Sequence, residues 1–392
     1  MSLCSRLTRL AFLTAAVFPA AISPAAAQSF RPIARLQSEV RYDNNPFLLS
    51  GGRKRQLAAR SFADSLSGRF REMESAIDVI PIASLRLGVA APGIGGRAID
   101  LAAEAVYEAN LRNAARRHLE LGFAIDQSLP RSGRVRLGAD WRPSYFHKNY
   151  LADAVDLDAD DNIAPEERRY TRATSNELDV ALKYRLRLAK PGDHRVGVSA
   201  DLQVGYLDRH YDAPFAGRSR AGPDAGAALA FQVGPVWRLT LDYAFASLQG
   251  EDANEILILD ETEFGVDLNG NLTTTDTSAR AAVLVNHSRV EHQLEVTLAG
   301  DVGTAATVTL AYGRRLRNFG SDQPFDAVNR DRTDDLSEVT AAADLRLVSG
   351  LRLTLGARRA GQTTNRGADP GSTGDVADYT RLVAWTGLRY RF

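Results

Sequence analysis

The sequence predicts an all-β chain closed into a transmembrane antiparallel up-and-down barrel of about fourteen strands. Three observations carry this prediction. Apolar residues recur at every second position along most of the chain. Short and long connections alternate between the predicted strands. Beyond the first thirty residues no run is apolar enough to cross a membrane as a helix, which takes roughly 20 consecutive apolar residues. Only helices and closed barrels satisfy every backbone group in lipid.

The N-terminus sets the compartment. Arg6 and Arg9 precede an apolar stretch from Leu10 to Ile22, and Ala25-Ala26-Ala27 supplies a small-residue cleavage pattern. That layout is a secretory signal peptide. Residues 1–27 are therefore read as an export signal and residues 28–392 as the barrel. Cys4, the only cysteine, falls inside the signal. The mature chain then has no disulfide, no thiolate metal site and no cysteine nucleophile. Losing Arg6 and Arg9 leaves 46 basic against the 48 acidic residues, near −2. No basic excess points to nucleic acid.

Each strand follows from a period of two. The first, near 33–42, alternates up to Tyr42. The second, near 76–88, carries Pro81, which suits a strand end or a bulge. Over 97–111, Ile99, Leu101, Ala103, Ala105, Tyr107 and Ala109 share one face, with Asp100, Glu104 and Glu108 opposite. Over 117–127, Leu119, Leu121, Phe123 and Ile125 oppose Glu120 and Asp126. The pattern continues near 133–148, 168–188, 193–209, 222–234, 236–249, 281–299, 303–317, 332–348, 351–362 and 376–392.

Connection lengths give the topology. Ala90–Gly96, Ser128–Ser132, Lys190-Pro191-Gly192, Gly234-Pro235, Gly300–Gly303 and Ser349-Gly350 are short. Segments 43–75, 149–167, 210–221, 250–280, 318–331 and 363–375 are long, and only 112–116 breaks the rule. Short periplasmic turns and long extracellular loops are the habit of outer-membrane barrels, so both termini are expected in the periplasm. Tyr42, Tyr107, Trp141, Tyr145, Tyr206 and Tyr312 fall near the outer rim of the apolar faces, and Tyr390 and Phe392 near the inner rim. Aromatic girdles predict that placement. The last strand alternates through Leu388 and Tyr390 to a terminal Phe392. It resembles the C-terminal signature read by the barrel-assembly machinery, which is the expected assembly partner.

A further resemblance rests on Val40-Arg41-Tyr42-Asp43-Asn44-Asn45-Pro46-Phe47, a strand running into a Tyr-Asp-Asn-Asn turn, and on Tyr145-Phe146-His147-Lys148-Asn149-Tyr150. These short stretches and the strand layout resemble the β-barrel porins found beside exopolysaccharide and capsule loci in proteobacteria. The resemblance implies an outer-membrane barrel linked to polysaccharide export, and brings no catalytic residues.

The polar face of a barrel lines its lumen. The expected pore-lining residues are Arg35, Glu39, Arg41, Asp100, Glu104, Glu108, Glu120, Asp126, Arg134, Arg136, Asp140, Arg142, Lys183, Arg185, Arg352, Arg358, Arg381 and Arg389. Acids dominate the third and fourth strands. Arginines dominate the last two and the first, which become neighbours on closure. Separated sectors of opposite charge would set a field across the pore; the same residues could instead pair into a stiffening network. In the outer loops, the acidic run from Asp153 to Glu167 lacks the Gly and Glu positions of an EF-hand and reads as a solvated loop. Segment 250–280 contains Asn269-Gly270, a hairpin signal, and is either an outer hairpin or a fold-in.

Enzyme motifs are weak. Asn286-His287-Ser288 is similar to the residue set of the outer-membrane phospholipase family, which spaces its His and Ser two apart on one strand face. Here they are adjacent and point to opposite faces. The six histidines show no metal-ligand spacing, and no cofactor is expected. The sequence thus predicts a porin-like channel for small polar or charged solutes or saccharides, bounded by outer-membrane lipid. The alternative is a non-conducting accessory barrel for exopolysaccharide export or envelope assembly.

Overall fold

The computed structural model describes residues 31–59, 68–93, 97–130, 133–154, 167–189, 196–266, 272–321, 326, 329–365 and 378–391, with backbone alone over 255–283. Residues 1–27, expected to be an export signal, Phe392 and most of the acidic run lie outside the described residues.

Sixteen strands follow one another: β1 (Arg31–Asp43), β2 (Asp78–Pro92), β3 (Ala98–Glu108), β4 (His118–Ser128), β5 (Arg134–Ala154), β6 (Arg168–Ala189), β7 (Gly197–Tyr211), β8 (Arg220–Val233), β9 (Trp237–Gly250), β10 (Asp252–Val266), β11 (Leu272–Asn286), β12 (Arg289–Val302), β13 (Ala306–Phe319), β14 (Thr333–Val348), β15 (Leu351–Thr364) and β16 (Tyr379–Arg391). Among the described residues of the β1–β2 connection lies the helix α1 (Gly51–Ala59). All strands but β10 and β11 form one closed antiparallel barrel of fourteen, in which β9 pairs directly with β12 and β16 returns to β1.

The alternation explains the closure. Leu36, Val40 and Tyr42 of β1, Phe123 and Ile125 of β4, Leu202, Val204 and Tyr206 of β7, and Leu310 and Tyr312 of β13 are all exposed, while the alternate positions are mostly charged, polar or small. Large apolar side chains on the outside and charges within are the inverse of a soluble β protein. A continuous exposed apolar belt of this kind is a lipid-facing surface.

The seam between first and last strands runs from Arg35 opposite Arg391 to Asp43 opposite Val383. Its long-loop end is clipped by the Tyr-Asp-Asn-Asn stretch. Leu382 N–H donates to Asn44 Oδ1 at 2.7 Å, and Asn44 N–H to Leu382 O at 3.1 Å. Asn45 Nδ2 donates to Thr380 O at 3.0 Å and to Leu49 O at 2.9 Å. The Arg381 guanidinium donates to the Asp43 carboxylate, which is fully buried.

Three expectations change, and one open alternative, the course of segment 250–280, resolves to the hairpin. Strand β3 stops at Glu108, so the β3–β4 connection spans 109–117 with a 3-10 turn at Ala114–Arg116; it belongs with the longer connections. The tenth predicted strand, 281–299, is two elements, because the chain breaks at His287-Ser288 between β11 and β12. Segment 250–280 is largely the hairpin β10–β11, outside the wall, with the Asn269-Gly270 turn outside the described residues. Tyr145 does not join the outer girdle. The pairing of β5 with β6 slips between Arg142 and Tyr145, where Ser144 has φ 49°. One extra residue in a strand reverses the alternation beyond it, so Tyr145 faces inward. Tyr42, Tyr107, Trp141, Tyr206, Tyr312 and Tyr390 are exposed on the outer surface. Pro81 lies fourth in β2 with unbroken pairing to Val40.

Gly356 of β15 stands directly opposite Trp385 of β16, and a Cβ on Gly356 would come within 2.2 Å of the indole ring. Overpacking of this kind costs about 1–3 kcal/mol. Gly356→Val is expected to lower the temperature at which the compact folded band disappears in unheated-versus-heated gel electrophoresis. An unchanged temperature would refute the packing.

Candidate functional site

Counted from the exposed apolar belt, the eighteen residues expected in the lumen fall on the alternate face of the wall. At the long-loop end stand Arg41, Glu108, Glu120, Arg142 and Arg381. Midway are Glu39, Glu104, Asp140 and Arg358. Toward the short turns lie Arg35, Asp100, Asp126, Arg134, Arg136, Lys183, Arg185, Arg352 and Arg389.

The arginine-bearing strands β15, β16 and β1 are neighbours in the closed barrel, and acids lie on β3 and β4, as expected; the charge also varies along the barrel axis. Across β5 and β6 the interior pairs run Arg142 with Glu177, Asp140 with Asp179, Gly138 with Ala181, Arg136 with Lys183 and Arg134 with Arg185. Across β9 and β12, Asp242 faces Glu295. Across β7 and β8, Arg209 faces Arg220. Arg35 faces Arg86 on one side and Arg391 on the other. Like charges directly opposite in a ladder repel, so these pairs cost stability and are tolerable only in a wet interior.

Other charges do pair. Arg142 bridges Glu120 at 2.5 Å and Glu177 at 3.0 Å. Arg41 takes Glu39 at 3.0 Å and Glu108 at 3.1 Å. Arg134 takes Asp126 at 3.0 Å and Asp100 at 3.5 Å. Arg185 holds Asp201 with two hydrogen bonds, at 2.6 and 2.7 Å. Arg86 reaches Glu104 at 3.4 Å, and Arg358 reaches Glu338 at 3.5 Å.

At the long-loop end these strands enclose a cavity of about 490 Å³. Among the described residues it is lined by ten arginines and one lysine against four carboxylates. Aromatic rings back several of the cations. Arg116 and Arg142 each lie 5.1 Å from the Tyr145 ring centre, Arg218 lies 3.8 Å from Tyr150, and Arg332 lies 4.3 Å from Phe319. Such stacking holds a guanidinium in place without neutralising it. The inward turn of Tyr145 is therefore part of the site: His118 and His147 meet its ring edge-on at 4.9 and 5.0 Å.

The β1–β2 connection forms part of the mouth. Phe47, Leu49, Leu57, Phe70 and Met73 pack with Phe146 of β5 into a small apolar core, while Pro46, Phe47 and Leu48 line the cavity. Its far end is anchored by a relay. Asn113 Oδ1 accepts from Glu74 N–H at 3.0 Å and Ser75 N–H at 3.1 Å, and Asn113 Nδ2 donates to Asp78 at 2.8 Å.

Arg209, Arg220, Arg289 and Arg317 lie outside the set read from the sequence. They sit at or near strand ends beside the long loops; Arg209, Arg289 and Arg317 fall within the predicted strands 193–209, 281–299 and 303–317, and only Arg220 precedes its predicted strand. Parity could have found two of them: counting from outward Tyr206 and Tyr312, Arg209 and Arg317 fall inward.

Ser288 lies in the break between β11 and β12, not on a strand. Its hydroxyl accepts from Gly250 N–H at 2.9 Å and donates to Gly250 O at 3.2 Å. It closes the chain junction, and among the described residues no histidine reaches it.

No family model and no curated protein matches the chain. Solved structures resemble it in barrel architecture. An anion-selective porin from Comamonas acidovorans is 13% identical, with 93% of this chain and 99% of that chain aligned at a TM-score of 0.40. The outer membrane channel DcaP of Acinetobacter baumannii is 10% identical, aligned over 93% and 97% at 0.42. Pseudomonas aeruginosa OprD is 9% identical, aligned over 92% and 95% at 0.38. Likeness this distant leaves the function of the chain to its own residues.

Replacing Asn113 by Ala would strip Glu74 and Ser75 of their acceptor and Asp78 of a donor, at about 1–3 kcal/mol for each buried group left unmet. Trypsin is expected to cleave purified Asn113→Ala at Arg69 and Arg71 several-fold faster than the parent, by the population of the opened connection. Equal cleavage rates would show that the relay does not hold the connection.

Proposed function

We propose that the chain is a bacterial outer-membrane channel, porin-like, for small polar or charged solutes, with the short turns in the periplasm and the long loops outside. The observation that carries this reading is the set of like-charged pairs facing each other across neighbouring strands inside the barrel. A wall selected only for stability would avoid Arg209 opposite Arg220 or Asp140 opposite Asp179. A lumen that conducts ions gains from such rings, because they set a potential along the path. The excess of arginine around the outer cavity favours anions entering from the loop side. Strand β16 with Leu388 and Tyr390 outward fits the C-terminal assembly signal expected to engage the barrel-assembly machinery.

One observation favours the second reading. The β1–β2 connection lines the mouth with Phe47 and Leu48, and the ion pairs of Arg142, Arg41 and Arg134 bind neighbouring strands together. A non-conducting barrel serving exopolysaccharide export or envelope assembly would use both features as stiffening.

Conductance in planar bilayers separates the two. The channel reading expects stable openings, with a reversal potential that reports chloride preference under a KCl gradient. That preference is expected to fade as salt rises from 0.1 to 1 M, since the screening length falls from about 10 to about 3 Å. A silent but folded barrel would select the accessory role.

A further inference from the structure

Four arginines at the loop end of the lumen, Arg209, Arg220, Arg289 and Arg317, line the same two adjoining cavities. Arg209 and Arg220 stand directly opposite each other on interior positions of β7 and β8. Arg220 pairs with Gly250 of β9, and Arg289 with Leu248, one interior step away. Arg317 of β13 lies opposite Glu291, one interior step deeper than Arg289. The four thus follow a shallow diagonal along one wall.

Their charge is only partly met by the protein. Glu177 takes Arg209 at 2.7 Å but is shared with Arg142 at 3.0 Å. Glu291 is shared between Arg289 and Arg317, the latter at 3.5 Å. Among the described residues the Arg220 guanidinium has no hydrogen-bond or ion-pair partner. The Nε atoms of Arg289 and Arg317 are buried and make no hydrogen bond. Donors in surplus on guanidinium groups that keep their charge are a poor structural solution and a good ligand-binding one.

We infer that this quartet binds the oxyanion group, carboxylate or phosphate, of a small organic solute at a saturable site in the lumen. The planar fork of arginine matches both groups bidentately. The Phe319 ring, 5.9 Å from the Arg289 guanidinium, and the ion pairs to Glu177 and Glu291 hold three of the four in place, which reduces the ordering cost of binding. The cavity of about 490 Å³ accommodates a body of sugar size beside the anionic group. The inference deepens the channel reading, since it names the solute class of the same lumen.

The test is calorimetric titration of the purified full-length barrel in low salt with glucose 6-phosphate, glucuronate and glucose, alongside bilayer conductance. Either or both anions are expected to bind with saturation, and neutral glucose is not. A tighter Kd for one of the two anions identifies the group. Arg220→Gln is expected to weaken anion binding about tenfold or more, the loss of a charged hydrogen-bonding partner. Arg220→Lys retains most of it, and Arg314→Gln, on the outer surface, leaves it unchanged. Folding of each variant is checked by its heat-modifiable gel mobility. Binding of glucose as tight as that of the anions, no anion binding, or an Arg220→Gln affinity equal to the parent would each overturn the inference. A barrel that binds the anions yet stays silent keeps the site and removes the channel. One that conducts without binding does the reverse.

Discussion

Closure of the seam between β1 and β16 is the condition on which the other features rest, because an unpaired strand edge in hydrocarbon leaves backbone groups with no partner. The clip at its loop end concentrates unusual chemistry in three residues. Asp43 takes the Arg381 guanidinium, Asn44 exchanges hydrogen bonds with Leu382, and Asn45 reaches the Thr380 carbonyl. Asp43 and Asn45 are fully buried there. The same residues redirect the chain, since Asn45 also binds both backbone groups of Leu49. The seam therefore sets two things together: the register that decides which residues face lipid, and the course of the segment that lines the mouth.

Once the register is set, the interior charges have no freedom to avoid one another. A slip of one residue would expose them to lipid, so repulsion between Arg209 and Arg220, or Asp242 and Glu295, is borne within a fixed wall. The acid–base pairs at other levels, such as Arg185 with Asp201, keep that wall coherent. Rigidity and field are thus assigned to different residues of the same strands, and the aromatic rings around the outer cavity hold cations without cancelling them.

The wall was legible in the sequence because lipid contact forces strict alternation, and alternation survives an error of several residues in a strand boundary. Parity from Ile99 to Ala109, or Leu119 to Ile125, was enough to separate outside from inside. Three features were hidden for physical reasons. The bulge at Ser144 inverts parity locally, and nothing in Pro143-Ser144-Tyr145 fixes which way the strand resumes. The axial layering depends on which residue stands opposite which, a property of pairs of strands. The arginine quartet is assembled from four strands, with Arg220 just before its predicted strand and Arg289 first after the break at His287-Ser288, so its grouping is a property of the closed barrel. The Tyr-Asp-Asn-Asn stretch was noticed as a pattern, while its work at the seam needs residues 335 or more positions away.

Hairpin β10–β11 leaves and rejoins the wall at one point, because β9 and β12 pair with each other directly and Ser288 is tied to Gly250 by two hydrogen bonds. The wall is complete without it. Lengthening both arms equally, or rewriting their sequence, leaves every strand pair of the barrel where it stands. The hairpin's distal sequence can therefore change without a matching change in the strand pairs of the barrel.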